Sequence, residues 1–148
     1  MFQDKIEPAL KAYKDILENY PNLASLVYPK IADIYLKIKD YEQAIGFYRK
    51  SQELVPVNEM SNIQFKIAEA RQAQGKPDEA IEEYLKVAYL YSENNRLVVK
   101  SLLRVAAIYE DRDNFKEAVN IYKKIALLDA EESKYAKEKI EWIRENIK

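Results

Sequence analysis

The sequence contains neither cysteine nor histidine. Without cysteine there are no disulfides and no thiolate metal sites. Without histidine as well, the usual nucleophile–base pairs and nearly all zinc and redox-metal sites are excluded. Glycine occurs only at Gly46 and Gly75, so no glycine-rich phosphate loop exists. No apolar run approaches the roughly 20 residues that a membrane-spanning helix needs. Met1 to Pro21 carries charges throughout and lacks the continuous apolar core of a secretory signal. Charge of one sign is also missing. Lys and Arg number 24 against 25 Asp and Glu, and the net charge of −1 gives no field suited to nucleic acid or anionic lipid. Adjacent acids such as Glu82-Glu83 and Glu131-Glu132 point in different directions along a helix, and acids near helix starts stabilise the helix. The inventory predicts a protein that is not an enzyme and needs no cofactor or metal.

What is present is helix-forming and periodic. The chain has 148 residues, the size of one domain, and 33% of them are charged. Ile31 to Tyr48 holds two amphipathic patterns back to back, Ile31, Ala32 and Tyr35 in one, and Tyr41, Ala44, Ile45 and Tyr48 in the other. The polar turn between them leaves no room for a strand, so this is a helical hairpin. Twelve residues separate Ala32 from Ala44, and the same twelve separate Ala68 from Ala80 and Ala106 from Ala118. A tyrosine follows each second alanine by four residues, at Tyr48, Tyr84 and Tyr122. Ala9, Leu10 and Tyr13 carry the second half alone. Self-similarity at this period predicts an all-α solenoid whose units bury their apolar faces only against neighbours.

The spacing predicts helices at about 2–19, 25–38, 41–54, 60–74, 77–91, 96–111, 115–128 and 131–148, from apolar residues recurring at the helical period of about 3.6. Gly75 is expected to close its helix in the left-handed conformation. Asn58, and Asn94 or Asn95, are expected to cap helix starts. Gly46 reads as a tolerated, exposed glycine. The small alanines are expected at close helix crossings.

At these residues the chain resembles the tetratricopeptide repeat family. Residues 25–58 place Tyr28, Ile31-Ala32, Tyr35, Tyr41, Ala44, Tyr48 and Pro56 where that family places its signature types. Residues 61–94 keep Ile67-Ala68, Gly75, Ala80 and Tyr84 but put Gln64 and Arg71 where large apolar residues are usual. Residues 99–132 keep Leu102, Val105-Ala106, Tyr109, Phe115, Ala118 and Tyr122, with Ala130 at the usual proline. The resemblance implies a right-handed α-solenoid that forms a single domain over 1–148, with a half repeat at 1–22 and a terminal helix at 131–148.

It also implies a concave groove lined by the outward faces of the first helices. Register assigns Leu26, Lys30, Asp33, Asn62, Phe65, Lys66, Glu69, Lys100, Leu103 and Arg104 to that face. Phe65 and Leu103 are expected as large apolar residues meeting water. Lys30, Lys66 and Arg104 form a basic ladder, read either as ordinary pairs one turn apart, such as Lys66 with Glu69, or as ligand-binding. Some members of the family clamp the C-terminal carboxylate of heat-shock chaperones. Of the matching positions Pro29, Asp33, Lys66, Lys100 and Arg104, only the last two agree, and Asp33 would repel a carboxylate.

The segments ALKAYKDILENYP and AIEEYLKVAYLYSENN are similar to repeats of bacterial envelope proteins, namely the Tol–Pal accessory protein and outer-membrane assembly lipoproteins. A cytoplasmic protein and an excised envelope domain both remain open. The function expected is a non-catalytic module that binds a protein or peptide partner. The alternatives are a structural spacer or self-assembly module that stacks end to end, and the regulatory part of an enzyme. Phe2 and Ile6 at one end, and Tyr135 and Trp142 at the other, are expected to be left uncovered by a missing partner helix, as in a piece of a longer array.

Overall fold

The computed structural model describes residues 5–147. Those residues form eight α-helices and no strand: α1 (Ile6–Asn19), α2 (Ala24–Lys37), α3 (Tyr41–Gln52), α4 (Val57–Ala73), α5 (Pro77–Leu90), α6 (Asn95–Asp111), α7 (Phe115–Ala126) and α8 (Glu132–Asn146). A single 3-10 turn at Pro21–Leu23 precedes α2. The helices pack as two compact units, Met1–Lys76 and Pro77–Lys148. In the first, α2 and α3 form a hairpin, with α1 against α2 and α4 against α3. In the second, α6 and α7 form a hairpin, with α5 against α6 and α8 against α7. Hairpins stacked in solenoid fashion are thus the architecture. The boundary between the units falls inside the repeat expected at 61–94.

Three turns between successive helices follow one rule. Lys39 (φ 63°), Gly75 (φ 78°) and Asp113 (φ 54°) all adopt the left-handed conformation. Each is followed by a residue whose N–H reaches back across the turn. Asp40 donates to Tyr35 at 2.9 Å, Lys76 to Arg71 at 3.1 Å and Asn114 to Tyr109 at 2.8 Å. The left-handed residues themselves donate to Leu36, Gln72 and Glu110. This is the Schellman arrangement, which satisfies carbonyls that a helix end leaves orphaned. Gly75 plays the role expected of it. Lys39 and Asp113 do the same without the conformational freedom of glycine.

The helix starts depart from expectation at one point. Asn94 caps α6, its Oδ1 accepting from the Leu97 N–H at 3.2 Å. Asn58 caps nothing, because α4 already begins at Val57. Pro56 takes the cap position in extended conformation, and its fixed φ and missing N–H suit the residue just outside a helix. Asp40 and Asn114 cap α3 and α7 through the amides of Gln43 and Glu117.

The six recurring alanines, Ala32, Ala44, Ala68, Ala80, Ala106 and Ala118, are fully buried, as are Ile31, Ile67 and Val105 beside them. Small side chains at these points let helix axes approach closely. Tyr48 and Tyr84 are fully buried and Tyr122 nearly so. In the first unit Ala32, Ala44, Ile45, Tyr48, Ile63, Ile67 and Ala70 make one core, flanked by Tyr35, Tyr41 and Phe47. The two polar residues at usually apolar positions are satisfied. Buried Gln64 accepts from the Gln52 amide at 3.0 Å. Arg71 donates to Glu42 at 2.8 Å and to Gln74 at 2.9 Å.

Candidate protein-interaction face

The first-type helices are α2 and α4 in the first unit and α6 and α8 in the second, and the solvent-facing residues of each unit are candidate binding surface. On α2, Leu26 is 67% exposed, with Lys30 one turn on and also exposed. Pro29, between them in sequence and inside the helix, has no N–H to donate. On α6, Lys100, Arg104 and Ala107 are exposed and Leu103 is half-buried. Spacings of three and four residues put these four side chains along one face of the helix.

On α4 the expected groove face is largely closed. Asn62 is exposed, but Phe65 is only 4% exposed and is corrected from a water-facing anchor to a core residue. The reason lies in the whole helix. Ile63, Gln64, Phe65, Ile67, Ala68 and Ala70 are all buried, so α4 is covered nearly all round and has no wide outer face at this level. Lys66 and Glu69 are half-buried.

The basic ladder also has a structural role. Lys66 Nζ lies 2.6 Å from Asp33 Oδ1, and Tyr48 Oη donates to the same oxygen at 2.5 Å. The ammonium also stands 5.5 Å from the centre of the Tyr48 ring. Lys66 is therefore engaged with the preceding first-type helix as well as standing one turn from Glu69. Burial works to raise the Asp33 pKa, but the hydrogen bonds from Lys66 and Tyr48 outweigh it and hold the carboxyl below its ordinary value. Burial, then the Asp33 carboxylate, pushes the Tyr48 phenol up.

The second unit repeats this arrangement with different residues. Tyr122 Oη donates to Glu110 Oε1 at 2.6 Å, and Lys139 Nζ meets Glu110 Oε2 at 2.7 Å. The Lys139 ammonium also lies 5.8 Å from the Tyr122 ring and 5.6 Å from the Trp142 ring. Tyr122 packs edge-on against Tyr135 at 6.1 Å. Burial and the Glu110 carboxylate raise the Tyr122 phenol. Tyr135 (47% exposed) and Trp142 (51%) thus form an aromatic flank of α8, anchored from beneath but open to solvent.

At the other end, Ile6 is half-buried and lines an apolar notch with Lys5, Ala9, Ile34 and Lys37, between α1 and α2. Phe2 lies outside the described residues. Sequence reasoning missed the tyrosine–carboxylate–lysine clusters. The one available signal was the tyrosine that recurs four residues after each second-helix alanine.

Among the described residues no cluster of acids could hold a metal ion, and no helix is long and apolar enough to cross a membrane.

Comparison with known proteins agrees with the fold. Residues 27–58 match the tetratricopeptide repeat model, and residues 55–139 match the model of the soluble NSF attachment protein family, SNAP. A comparison with curated protein sequences gives no match. Among solved structures, the chain is similar to one titled MamA AMB-1 at 24% identity, covering 81% of this chain and 66% of that one, with a TM-score of 0.58. It thus spans just under two thirds of that protein's length. It is similar to another crystal structure of MamA at 19% identity over 97% of this chain and 79% of that one, with a TM-score of 0.64. It is similar also to BtubC (BKLC) from P. vanneervenii at 16% identity, over all of this chain and 75% of that one, with a TM-score of 0.60. The chain is a helical-repeat protein with a tetratricopeptide repeat at residues 27–58, and by the match over 55–139 it belongs to the soluble NSF attachment protein family.

Proposed function

We propose that this protein is an interaction module that holds an extended peptide or a partner helix against the open faces of its first-type helices. The observation that carries the reading is large apolar surface left in water on those helices: Leu26 on α2, and Tyr135 and Trp142 on α8. Burying such groups on a partner returns roughly 25 cal/mol per Å² of apolar surface, and tryptophan and tyrosine are the residue types that most often dominate binding energy. Lys30, and Lys100 with Leu103 and Arg104, extend the same faces with charge. Asp33 and Lys66 neutralise one another there, so the partner needs no strong charge opposite them. The name of the matched family describes attachment of one protein to another, which supports the same class of function.

A displayed library of random peptides, selected on the protein, tests this. Selected binders should lose affinity to Leu26→Ala or Trp142→Ala while both variants keep their melting temperature. Binding that survives both changes would place the ligand elsewhere and reject the reading.

A second reading, self-association through the ends, is favoured by the apolar notch around Ile6, Ala9 and Ile34. Light scattering over a concentration series checks it. A mass that stays monomeric at high concentration rejects it.

A further inference from the structure

A different face of the second unit carries a built groove. Helix α7 contributes Phe115, Lys116, Val119, Asn120 and Lys123, the last turn of α8 contributes Ile143 and Arg144, and Ile147 follows just beyond it. Phe115, Val119 and Lys123 recur every four residues, so they run as one stripe along α7. The adjoining side of α7, with Ala118, Ile121, Tyr122 and Ile125, is spent on the core. The groove floor is apolar: Phe115 and Val119 are half-buried, Ile143 is buried and Ile147 is 36% exposed. The rim is cationic. Lys116, Lys123 and Arg144 are all exposed, and none makes an ion pair with a described residue. Among the described residues no carboxylate lines the groove, and Asn120 at its edge donates to Glu117 at 3.3 Å.

We propose that this groove docks an acidic amphipathic helix of a partner protein. An apolar stripe would lie on Phe115, Val119, Ile143 and Ile147, and carboxylates on either side of it would meet Lys116, Lys123 and Arg144. Phe115 to Lys123 spans about 12 Å of helix axis, enough for two turns of a docked helix. Charge complementarity sets the sign of the partner, and the apolar floor sets its amphipathic form. The groove lining includes none of Leu26, Tyr135 and Trp142, so the proposal stands or falls independently of them.

The probe is a fluorescein-labelled synthetic helix with leucines on one face and glutamates elsewhere. The control probe has lysine at every glutamate. Fluorescence anisotropy with the full chain should show binding of the glutamate peptide alone, weakening as salt is raised. Amide shifts in nuclear magnetic resonance spectra should fall on α7 and the end of α8. The triple variant Lys116→Gln, Lys123→Gln, Arg144→Gln should weaken binding about tenfold or more, whereas Leu26→Ala should leave it unchanged. All three substituted residues are exposed, so the variant is expected to keep its melting temperature. If neither peptide binds, if the lysine peptide binds equally well, or if the shifts fall elsewhere, the proposal fails. It also fails if light scattering shows a dimer that the glutamate peptide disperses, because the occupant would then be a second copy.

Discussion

Gly46 stands inside α3, exposed, with nothing within 4 Å of where a β-carbon would sit. Glycine in a helix interior costs roughly 0.5–1 kcal/mol relative to alanine. Gly46→Ala should therefore raise the melting temperature with no other change, as scanning calorimetry would show. The left-handed turn residues give the opposite case. Lys39→Gly and Asp113→Gly should each stabilise by about 1 kcal/mol, because a non-glycine residue is strained at positive φ. Gly75→Ala should destabilise for the same reason. Phe65 decides whether the groove register was right. Burial predicts that Phe65→Ala costs about 3–5 kcal/mol in chemical denaturation. A water-facing phenylalanine would cost little. The sequence placed Phe65 on the outer face from its register alone. Register states a direction, whereas burial depends on how much neighbouring chain covers that direction, and along α4 nearly every direction is covered.

At the scale of the helix, the alanine crossings were legible because they are local. A hairpin of two helices needs small residues at a fixed separation, and that separation recurs three times in the sequence. Ala80→Leu should cost roughly 1–3 kcal/mol by overpacking, while a change at exposed Glu82 should do little. Equal losses would show the crossing to be misplaced. The ties between successive hairpins were not legible. Asp33 reaches Lys66, Glu42 reaches Arg71 and Lys76, and Glu110 reaches Lys139. Each partner lies some thirty residues away. With 24 cations and 25 acids in the chain, spacing alone selects none of these pairs. Lys66→Glu should therefore lower stability in the absence of any partner, because it turns an attraction at Asp33 into a repulsion. Lys30→Glu should lower it less, because the Lys30 charge acts on Asp33 without a hydrogen bond. Thermal unfolding of the two variants side by side separates the structural lysine from the surface one.

For the whole molecule, these ties set how stability depends on pH. Hydrogen bonds from Gln74, Arg71 and Lys76 lower the Glu42 pKa from 4.5 to about 2. A depressed carboxyl contributes stability that is present above its unfolded value and is lost as pH falls through the folded one. Stability should thus decline between pH 4.5 and pH 2, and Glu42→Gln should flatten that limb. Because Glu42 is largely exposed, solvent screening keeps the effect modest. Tyr48 and Tyr122 act at the other extreme. Both phenols are raised above the ordinary value of 10.0, by burial and by their carboxylate partners. Their contribution is present below pH 10 and is lost as pH rises beyond it, because the unfolded chain ionises first. The double variant Tyr48→Phe, Tyr122→Phe should lose this alkaline limb, as melting temperatures across the pH range would show.

The closing bonds of the three left-handed turns bear on where the chain can grow. Each of these turns is three residues long, at 38–40, 74–76 and 112–114, and each must bring its last N–H back to a carbonyl at the helix end. One added residue there would break both closing bonds. The joints between hairpins share no such geometry. They run 53–56, 91–94 and 127–131, open respectively into an extended proline, an asparagine cap and a glutamate that caps through no side-chain bond, and leave Leu127 87% exposed. Drift in repeat length, and any extra loop a descendant of this sequence acquires, should therefore accumulate at the joints. A Gly-Ser insertion after Asp129 should leave the fold intact, and the same insertion after Asp113 should unravel the hairpin around it.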